Sequence, residues 1–396
     1  MGRSYNRKVG FLPARKIFDP LHGFIALDAT ESLLIDSLPF QRLRHIRQLG
    51  NAFLTYPGAT HTRFEHSLGT MELASQIFDT IVEQEPERVD WLPDPTYARK
   101  IVRLAALSHD LGHLPFSHVG EKSILGPGGH EEKTVQILRS HWLTPIWRAA
   151  GGIEIAEDVI ELAVGKSGGS GWHGVLNQII AGDFFGADRI DYLLRDSRYT
   201  GVAYGTFDYR QLIEMLRILL FEDHLQVGIE EGGIEACEAL LLARHFMQQR
   251  VYHYEAVKGY AFHLSRYMKK LLGEGFAQRP LEEYLAWSDN EILFHMRNSQ
   301  DEDARCLLDR KKRYHALYLP QLPGSILTAL QESGYFVENF DEEPAKEPPF
   351  PVLKMQGEIV SGDRMLQVQI PLKRGLWIYS PPDRYQALLT ELQPFL

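Results

Sequence analysis

The densest chemistry in the chain stands between positions 104 and 118, which read LAALSHDLGHLPFSH. His109 and Asp110 are consecutive, and His113 follows one turn after His109. Ile101, Leu104, Leu107 and Leu111 recur at intervals of three and four, the apolar stripe of a helix facing a core, and Pro115 stops that helix one turn later. Neighbours on a helix point about 100° apart, so a short carboxylate and a longer imidazole can converge on one ion from adjacent positions. Polar groups packed beside a buried stripe cost free energy unless a cation or a hydrogen bond satisfies them. A divalent metal would do so. A plain buried His-Asp pair or a helix cap would do so too, and the dipeptide alone does not separate these readings.

Two further helices carry matching residues. One begins near Arg63 and runs past Ile81, with Phe64, Leu68, Met71, Ile77 and Phe78 as its buried face and His66 near its start. The other holds Asp188, Tyr192 and Asp196 at i, i+4 and i+8, so that they line one face over about 12 Å. His66, the pair His109-Asp110, and Asp188 then come from three helices, which is how facing helices build a buried metal site. Two imidazoles and two carboxylates suit manganese, iron, cobalt, nickel or zinc more than calcium. Four protein ligands on a six-coordinate ion leave room for substrate and for a water acidified enough to attack near neutral pH.

The remaining chain supplies the frame. Residues 15–28 read as an extended entry segment with a turn at Asp19-Pro20 and Gly23, followed by a helix from about Ala29 to Leu49 that Gly50 caps. Gly126-Pro127-Gly128-Gly129 leads into a helix at His130. The stretch GKSGGSGWHG at 165–174 invites a phosphate-loop reading, but Ile160 stands where that pattern needs its first glycine, so a flexible loop is expected. A long helix is expected from Ile234 to Leu272, with Arg244, Gln248 and Tyr252 repeating the four-residue spacing. Beyond residue 320 prolines accumulate (Pro344, Pro348, Pro349, Pro351), the acidic run Asp341-Glu342-Glu343 appears, and LQVQIPL and GLWIYSP alternate like strands. The expected architecture is mainly α, a helical body over 1–320 and a small mixed α+β lobe over 321–396.

Composition narrows the partners. A net charge of −10 argues against non-specific binding to nucleic acid or an anionic membrane. With two cysteines, Cys237 and Cys306, there is neither a disulfide framework nor a thiolate site. The opening MGRSYNRKVGFLPARK lacks the apolar core of a secretory signal, and no run of about 18 apolar residues suggests a span. A cytoplasmic setting is expected.

HTRFEHS (61–67), HDLGHLPFSH (109–118), GHEE (129–132) and DRIDYLLRD (188–196), in this order, resemble the signature of the HD-domain phosphohydrolases, and more closely the deoxynucleoside triphosphate triphosphohydrolases. FDPLHGFIAL, PFQRLRHIRQLG, TFDYRQL and QRVYHYEAVKG extend the resemblance across 15–270. It implies an HD helical bundle and hydrolysis of a dNTP to deoxynucleoside and triphosphate, with a divalent transition metal at the site and magnesium on the substrate phosphates. The metal ligands would be His66, His109, Asp110 and Asp188. His113, His118, Glu121 and His130 would form an acid-base cluster around the scissile phosphate. Arg63, Arg189 and Arg244 would bind the triphosphate, Gln48 and Leu49 the nucleoside, and Tyr192 and Asp196 the 3′-hydroxyl, with Gln248 a neighbour of the pocket. Tyr252, two turns from Arg244 on the expected helix, would pack against the C2′ edge of the sugar. Singly, each histidine reads equally well as structural and each arginine as half of an ion pair.

The family also implies a homo-oligomer, and in some members a nucleotide activator between subunits. Arg15, Asp36, Gln41 and Arg44 fall at such contacts, whereas Phe18 and Gln211 depart from them, and an ion-paired helix surface explains the same four residues. Two other functions fit the ligand set: another HD enzyme such as a 5′-nucleotidase or phosphodiesterase, and a non-catalytic nucleotide sensor.

Overall fold

The computed structural model describes residues 13–84, 92, 94–165, 171–310, 313–341, 350–368, 370 and 374–396. The entry segment is a hairpin, β1 (Arg15–Asp19) and β2 (Gly23–Leu27). The Asp19 carboxylate accepts from the amides of Leu21 and His22, and Gly23 closes the turn at a φ of +72°. The helix expected over 29–49 is two short ones, α1 (Ala29–Asp36) and α2 (Leu38–Arg42), followed by a 3₁₀ turn. Ser37 between them is extended, and Pro39, with no amide hydrogen to give, sits in the first turn of a new helix instead of inside the old one.

Then come α3 (Arg63–Gln84), α4 (Pro95–Ser108), α5 (Glu121–Ile124), α6 (Gly129–Leu138), α7 (Thr144–Ala150), α8 (Glu154–Val164), α9 (Gly171–Ala181) and α10 (Ala187–Thr200). Helix α9 occupies the second half of the glycine-rich stretch expected as a loop; residues 166–170 lie outside the described residues. The centre of the body is α3, packed between α4 and α10. Leu68, Met71, Ile77, Leu104, Leu107, Ile190 and Leu193 bury their side chains there, each worth roughly 1.5–3 kcal/mol on removal from water. Gly69 permits the close approach of α3 to α10: a Cβ at that position would lie 2.0 Å from Asp191 Oδ1.

After α11 (Tyr209–Glu214), strands β3 (Leu216–Phe221) and β4 (His224–Glu230) form a hairpin. Helix α12 (Ile234–Met247) passes into a π-helical turn, Gln248–Tyr252, and the chain restarts as α13 (Glu255–Leu272). The single helix expected over 234–272 is therefore interrupted, with the His253 amide reaching back to the Gln248 carbonyl. The body closes with α14 (Leu281–Leu285), α15 (Asp289–Arg297) and α16 (Glu302–Asp309).

The C-terminal part is the small α+β lobe. Strands β5 (His315–Leu319), β6 (Phe336–Asp341) and β9 (Arg374–Ser380) form an antiparallel sheet in the order β5-β9-β6, with α17 (Gly324–Glu332) and α18 (Pro382–Glu391) beside it. Its own core is Leu317, Leu319, Leu330, Ile378, Leu388 and Leu392. Strands β7 (Pro351–Leu353) and β8 (Ile359–Ser361) return to the body, where β7 pairs in parallel with β4. The chain thus enters the lobe at β5, ahead of the expected 320/321 boundary, returns to the body for β7 and β8, and enters the lobe again at β9. GLWIYSP is β9, but residues 366–368 and 370 of LQVQIPL are not in a strand, and the rest of that run lies outside the described residues, as do Glu342, Glu343, Pro344, Pro348 and Pro349.

No described helix is long and apolar enough to cross a membrane.

Candidate metal centre and substrate cleft

Helix α4 ends at Ser108, whose hydroxyl turns back to the Leu104 carbonyl at 2.6 Å. His109 and Asp110 therefore do not lie on the helix, as the apolar periodicity through Leu111 suggests, but in a run of tight turns beyond it. The amides of Leu111 and His113 bond back three residues, to Ser108 and Asp110. This corner packs on α6 because residue 112 is glycine: a Cβ there would stand 2.0 Å from the His130 carbonyl. Phe116 and Ser117 then take φ values of +59° and +60°, a conformation that side chains disfavour. The surroundings over-determine it. Asp289 Oδ1 accepts from the Phe116 amide at 2.6 Å, and the Ser117 hydroxyl donates to the Arg47 carbonyl while accepting from Arg63 Nε. Burial pushes the Asp289 carboxyl up to about 6, against the hydrogen bonds from Phe116 and Arg47.

His66, His109 and Asp188 offer ligand atoms within 4.8 Å of one another. His66 Nε2 lies 2.9 Å from Asp188 Oδ1, and His109 Nε2 lies 3.6 Å from the same oxygen. Asp110 stands beside them, 3.3 Å from His109 Nε2 and 3.6 Å from His66 Nε2. The outer nitrogens are fixed: His66 Nδ1 meets Asp191 Oδ2 at 2.8 Å and His109 Nδ1 meets the Ala106 carbonyl at 2.8 Å. That leaves each Nε2 facing the carboxylates, buried and without a hydrogen-bond partner among the described residues. Burial disfavours a charged His66, but the neighbouring carboxylates of Asp188 and Asp191 outweigh it and draw the group up to about 10. The pocket thus calls for positive charge, and its nitrogen and oxygen donors with outer-face support fit a divalent transition metal.

Sequence reasoning missed that supporting layer. Asp191 receives His22 Nε2 at 2.7 Å and Arg195 at 2.8 Å, and Arg195 in turn holds Asp19 at 2.9 Å, all of them buried. The signal was present, since Asp191 and Arg195 stand four apart on the helix that supplies Asp188. Arg63 is also buried, bonded to Asp110 through Nη1.

His113, His118, Glu121 and His130 form a second cluster, again within 4.8 Å. His113 stacks on His130 at 3.7 Å, and its Nε2 lies 3.2 Å from Asp110 Oδ1, so the two clusters share an edge. Glu121 meets His118 Nδ1 at 2.8 Å and also His130 Nδ1. Burial opposes its ionisation, but the bonds from His118 and His130 hold its carboxyl well below the usual range. Burial and the Arg63 charge depress His113 and keep it neutral. His118 projects outward, its side chain 68 % exposed.

Along α10 the cleft continues. Asp196 accepts from Tyr252 Oη at 2.8 Å and pairs with His61 Nε2 at 2.7 Å, and the rings of Tyr192 and Tyr252 stand edge to face at 6.3 Å. Tyr252 reaches this cluster from the π-helical turn, not from the face of a continuous helix. His61, which the sequence did not single out, binds the Gln48 amide through its carbonyl, and His61 Nδ1 and Gln48 Oε1 are buried without partners. Leu49 is half-buried beside Ala52 and Tyr56. Arg189 pairs with Asp183 at 3.2 Å. Arg244 and Gln248 are partly exposed, and no side-chain hydrogen bond joins either to Tyr252 or Asp196 among the described residues. On the far surface Arg15 pairs with Asp36 at 2.9 Å, Arg44 bonds Gln41 at 2.9 Å, and Phe18 packs edge-on against Phe24.

Residues 63–192 match the HD domain and residues 207–332 the HD-associated region. The chain is 32 % identical over 326 residues to the uncharacterized protein YwfO of Bacillus subtilis, covering 77 % of this chain and 71 % of that one. It belongs to the HD-domain family. A crystal structure of a hypothetical protein from Aquifex aeolicus superposes on this HD protein with a TM-score of 0.79 at 29 % identity, covering 96 % and 99 % of the two chains. Deoxynucleoside triphosphate triphosphohydrolase SAMHD1 of Gallus gallus is 27 % identical over 434 residues, 94 % of this chain and 68 % of its own. The HD protein spans from 42 % to 71 % of the length of the curated relatives compared with it.

Proposed function

We propose that this HD protein hydrolyses deoxynucleoside triphosphates at the metal centre, releasing deoxynucleoside and intact triphosphate. The observation that carries the reading is the shared edge between the two clusters, Asp110 with His113, which sets an acid-base group beside the ion's ligands. Similarity to SAMHD1 supports the substrate class. When bound, a divalent transition metal supplies Lewis acidity and a water made nucleophilic near neutral pH. Glu121, kept ionised, orients His118 and His130 through their Nδ1 atoms. His118, facing outward, then gives its proton to the departing 5′ oxygen, while neutral His113 orders the edge of Asp110. Arg189 and Arg244 hold the outer phosphates, and Asp196 accepts from the sugar 3′-hydroxyl. Arg63, already committed to Asp110 and Ser117, contributes charge to the phosphate side through that pair.

The test is the identity of the products. Incubated with each dNTP and Mn²⁺, Fe²⁺, Co²⁺, Ni²⁺ or Zn²⁺, the protein yields tripolyphosphate, read by ³¹P NMR. Pyrophosphate with a monophosphate would assign it to another class of nucleotide hydrolase.

Sugar choice gives a second expected result. With Tyr252 Oη engaged by Asp196, a 2′-hydroxyl packed on the tyrosine ring loses its water and gains no partner, a penalty on the order of 1–3 kcal/mol, or roughly ten- to a hundredfold. Tyr252→Ala reduces the ratio of kcat/KM for a dNTP over its NTP by that factor, with circular dichroism as the folding control. A folded variant with an unchanged ratio removes Tyr252 from the sugar site.

A further inference from the structure

Tyr252 ends the π-helical turn Gln248–Tyr252, where the chain has left α12 and not yet begun α13. Such a turn interrupts the regular helical ladder, so what the side chain holds decides where the ring stands. Tyr252 Oη donates to Asp196 Oδ2 at 2.8 Å, the one side-chain hydrogen bond of this tyrosine among the described residues. Burial and the Asp196 charge push the hydroxyl well above its ordinary range, so it stays protonated and remains the donor.

The second oxygen of Asp196 is taken by His61. Oδ1 lies 2.7 Å from His61 Nε2, and both side chains are buried. A carboxylate only accepts, so Nε2 is the donor and the group is spanned by one donor on each oxygen. His61 is itself held on two sides. Its ring stacks on Tyr199 at 4.5 Å, and Tyr199 Oη donates to Glu65 Oε2 of α3 at 2.8 Å. Its carbonyl accepts from the Gln48 amide at 3.0 Å. A continuous line of contacts therefore runs from α3 through Tyr199, His61 and Asp196 to the Tyr252 hydroxyl. A satisfied buried network of this kind specifies one geometry. A carboxylate held on one side only could rotate.

We propose that His61 is a positioning residue for sugar selection: acting through Asp196, it fixes the Tyr252 ring where a 2′-hydroxyl finds no partner. This rests on the reading of Tyr252 as the wall against C2′ and adds the residue that sets the wall. A histidine needed for packing alone would, when lost, slow deoxy and ribo substrates alike. One that positions the ring changes their ratio.

With Mn²⁺, kcat/KM is measured on the full chain for each dNTP and its matching NTP in wild type, His61→Asn, His61→Gln, Tyr252→Phe and the double variant His61→Asn/Tyr252→Phe. Circular dichroism is the folding control. His61→Asn, whose amide is too short to reach Asp196, lowers the dNTP over NTP ratio by roughly fivefold or more, a large part of what the ring supplies. His61→Gln carries its amide nitrogen about as far out as Nε2 and keeps the ratio within about twofold of wild type. Tyr252→Phe cuts the same link from the other end and lowers the ratio by the same factor. The double variant falls no further, because the two residues act as one unit. An unchanged ratio in His61→Asn, an equal loss in His61→Gln, or losses that multiply in the double variant overturns the proposal. An unchanged ratio in Tyr252→Phe does so even where no His61 variant folds. A wild type that releases no triphosphate overturns the dNTP reading and this inference with it, whereas any of the other failures beside an active wild type leaves that reading standing.

Discussion

Asp188→Ala removes the divalent ion and turnover together while the helical body stays folded. Asp188 Oδ1 is the atom on which His66 and His109 both converge, and without it the two Nε2 atoms are left with Asp110, itself tied to Arg63, as the remaining carboxylate of the site. An ion at such a site is worth several kcal/mol of charge stabilisation in the transition state, so turnover falls by roughly a thousandfold or more. The side chain is partly exposed at the N-terminal turn of α10, so little of the core is disturbed. Metal content by plasma mass spectrometry, helicity by circular dichroism and product release are measured on one preparation. A metal-free variant that still turns over would refute the ligand assignment.

Asp191→Ala shows the opposite pattern, with a large loss of stability. Its carboxylate is fully buried between Arg195, His22 and His66, and its removal strands the buried Arg195 guanidinium, which retains Asp19 alone as a close partner among its buried carboxylates. Breaking a buried pair in this way costs about 3–5 kcal/mol, and loss of an outer-face partner weakens metal binding by roughly 10–100-fold. The thermal midpoint and the metal titration report the two effects separately. The same carboxylate makes stability depend on pH. Burial raises its pKa, but the Arg195 charge and the bonds from His22, His66 and Arg195 hold it well below 3.8. Its contribution is therefore complete above the unfolded value near 4 and is lost as pH falls from there toward the depressed folded value. In Asp191→Ala the slope of stability against pH in that acid range flattens; an unchanged slope would show that other carboxylates set it.

Much of the frame was legible because periodicity reports burial. The buried face of α3 and the spacing of Asp188, Tyr192 and Asp196 on α10 are read directly from intervals of three and four. The failures have physical reasons. Leu111 continues the apolar stripe of α4, yet Ser108 back-bonds and the chain turns, because the corner is held from outside by Asp289 and Arg47, which are 173 and 242 residues away from their partners Phe116 and Asp289. No local pattern encodes such contacts. Tyr252 was expected on a straight helix two turns from Arg244, whereas a π turn brings its hydroxyl to Asp196, a contact the four-residue spacing does not encode. His22 and His61 were passed over because each acts through one carboxylate on α10, and a lone histidine in sequence says nothing of its partner. Strands β3, β4 and β7 escaped notice because β7 completes a sheet begun more than a hundred residues earlier.

That α4 stops at Ser108 has a further consequence. The three helices meet the metal centre with their ends and not with their flanks: α4 brings its C-terminus, α3 and α10 their N-termini. Aligned peptide dipoles leave about half a negative charge at the first and half a positive charge at each of the others. The end of α4 attracts a cation, and the ends of α3 and α10 hold the carboxylate of Asp188 and favour any anion that approaches from their side. The backbone alone therefore polarises the cleft, negative toward the ion and positive toward its counter-charge, before a single side chain is counted. An acidic protein can in this way receive an anion at a centre made largely of carboxylates.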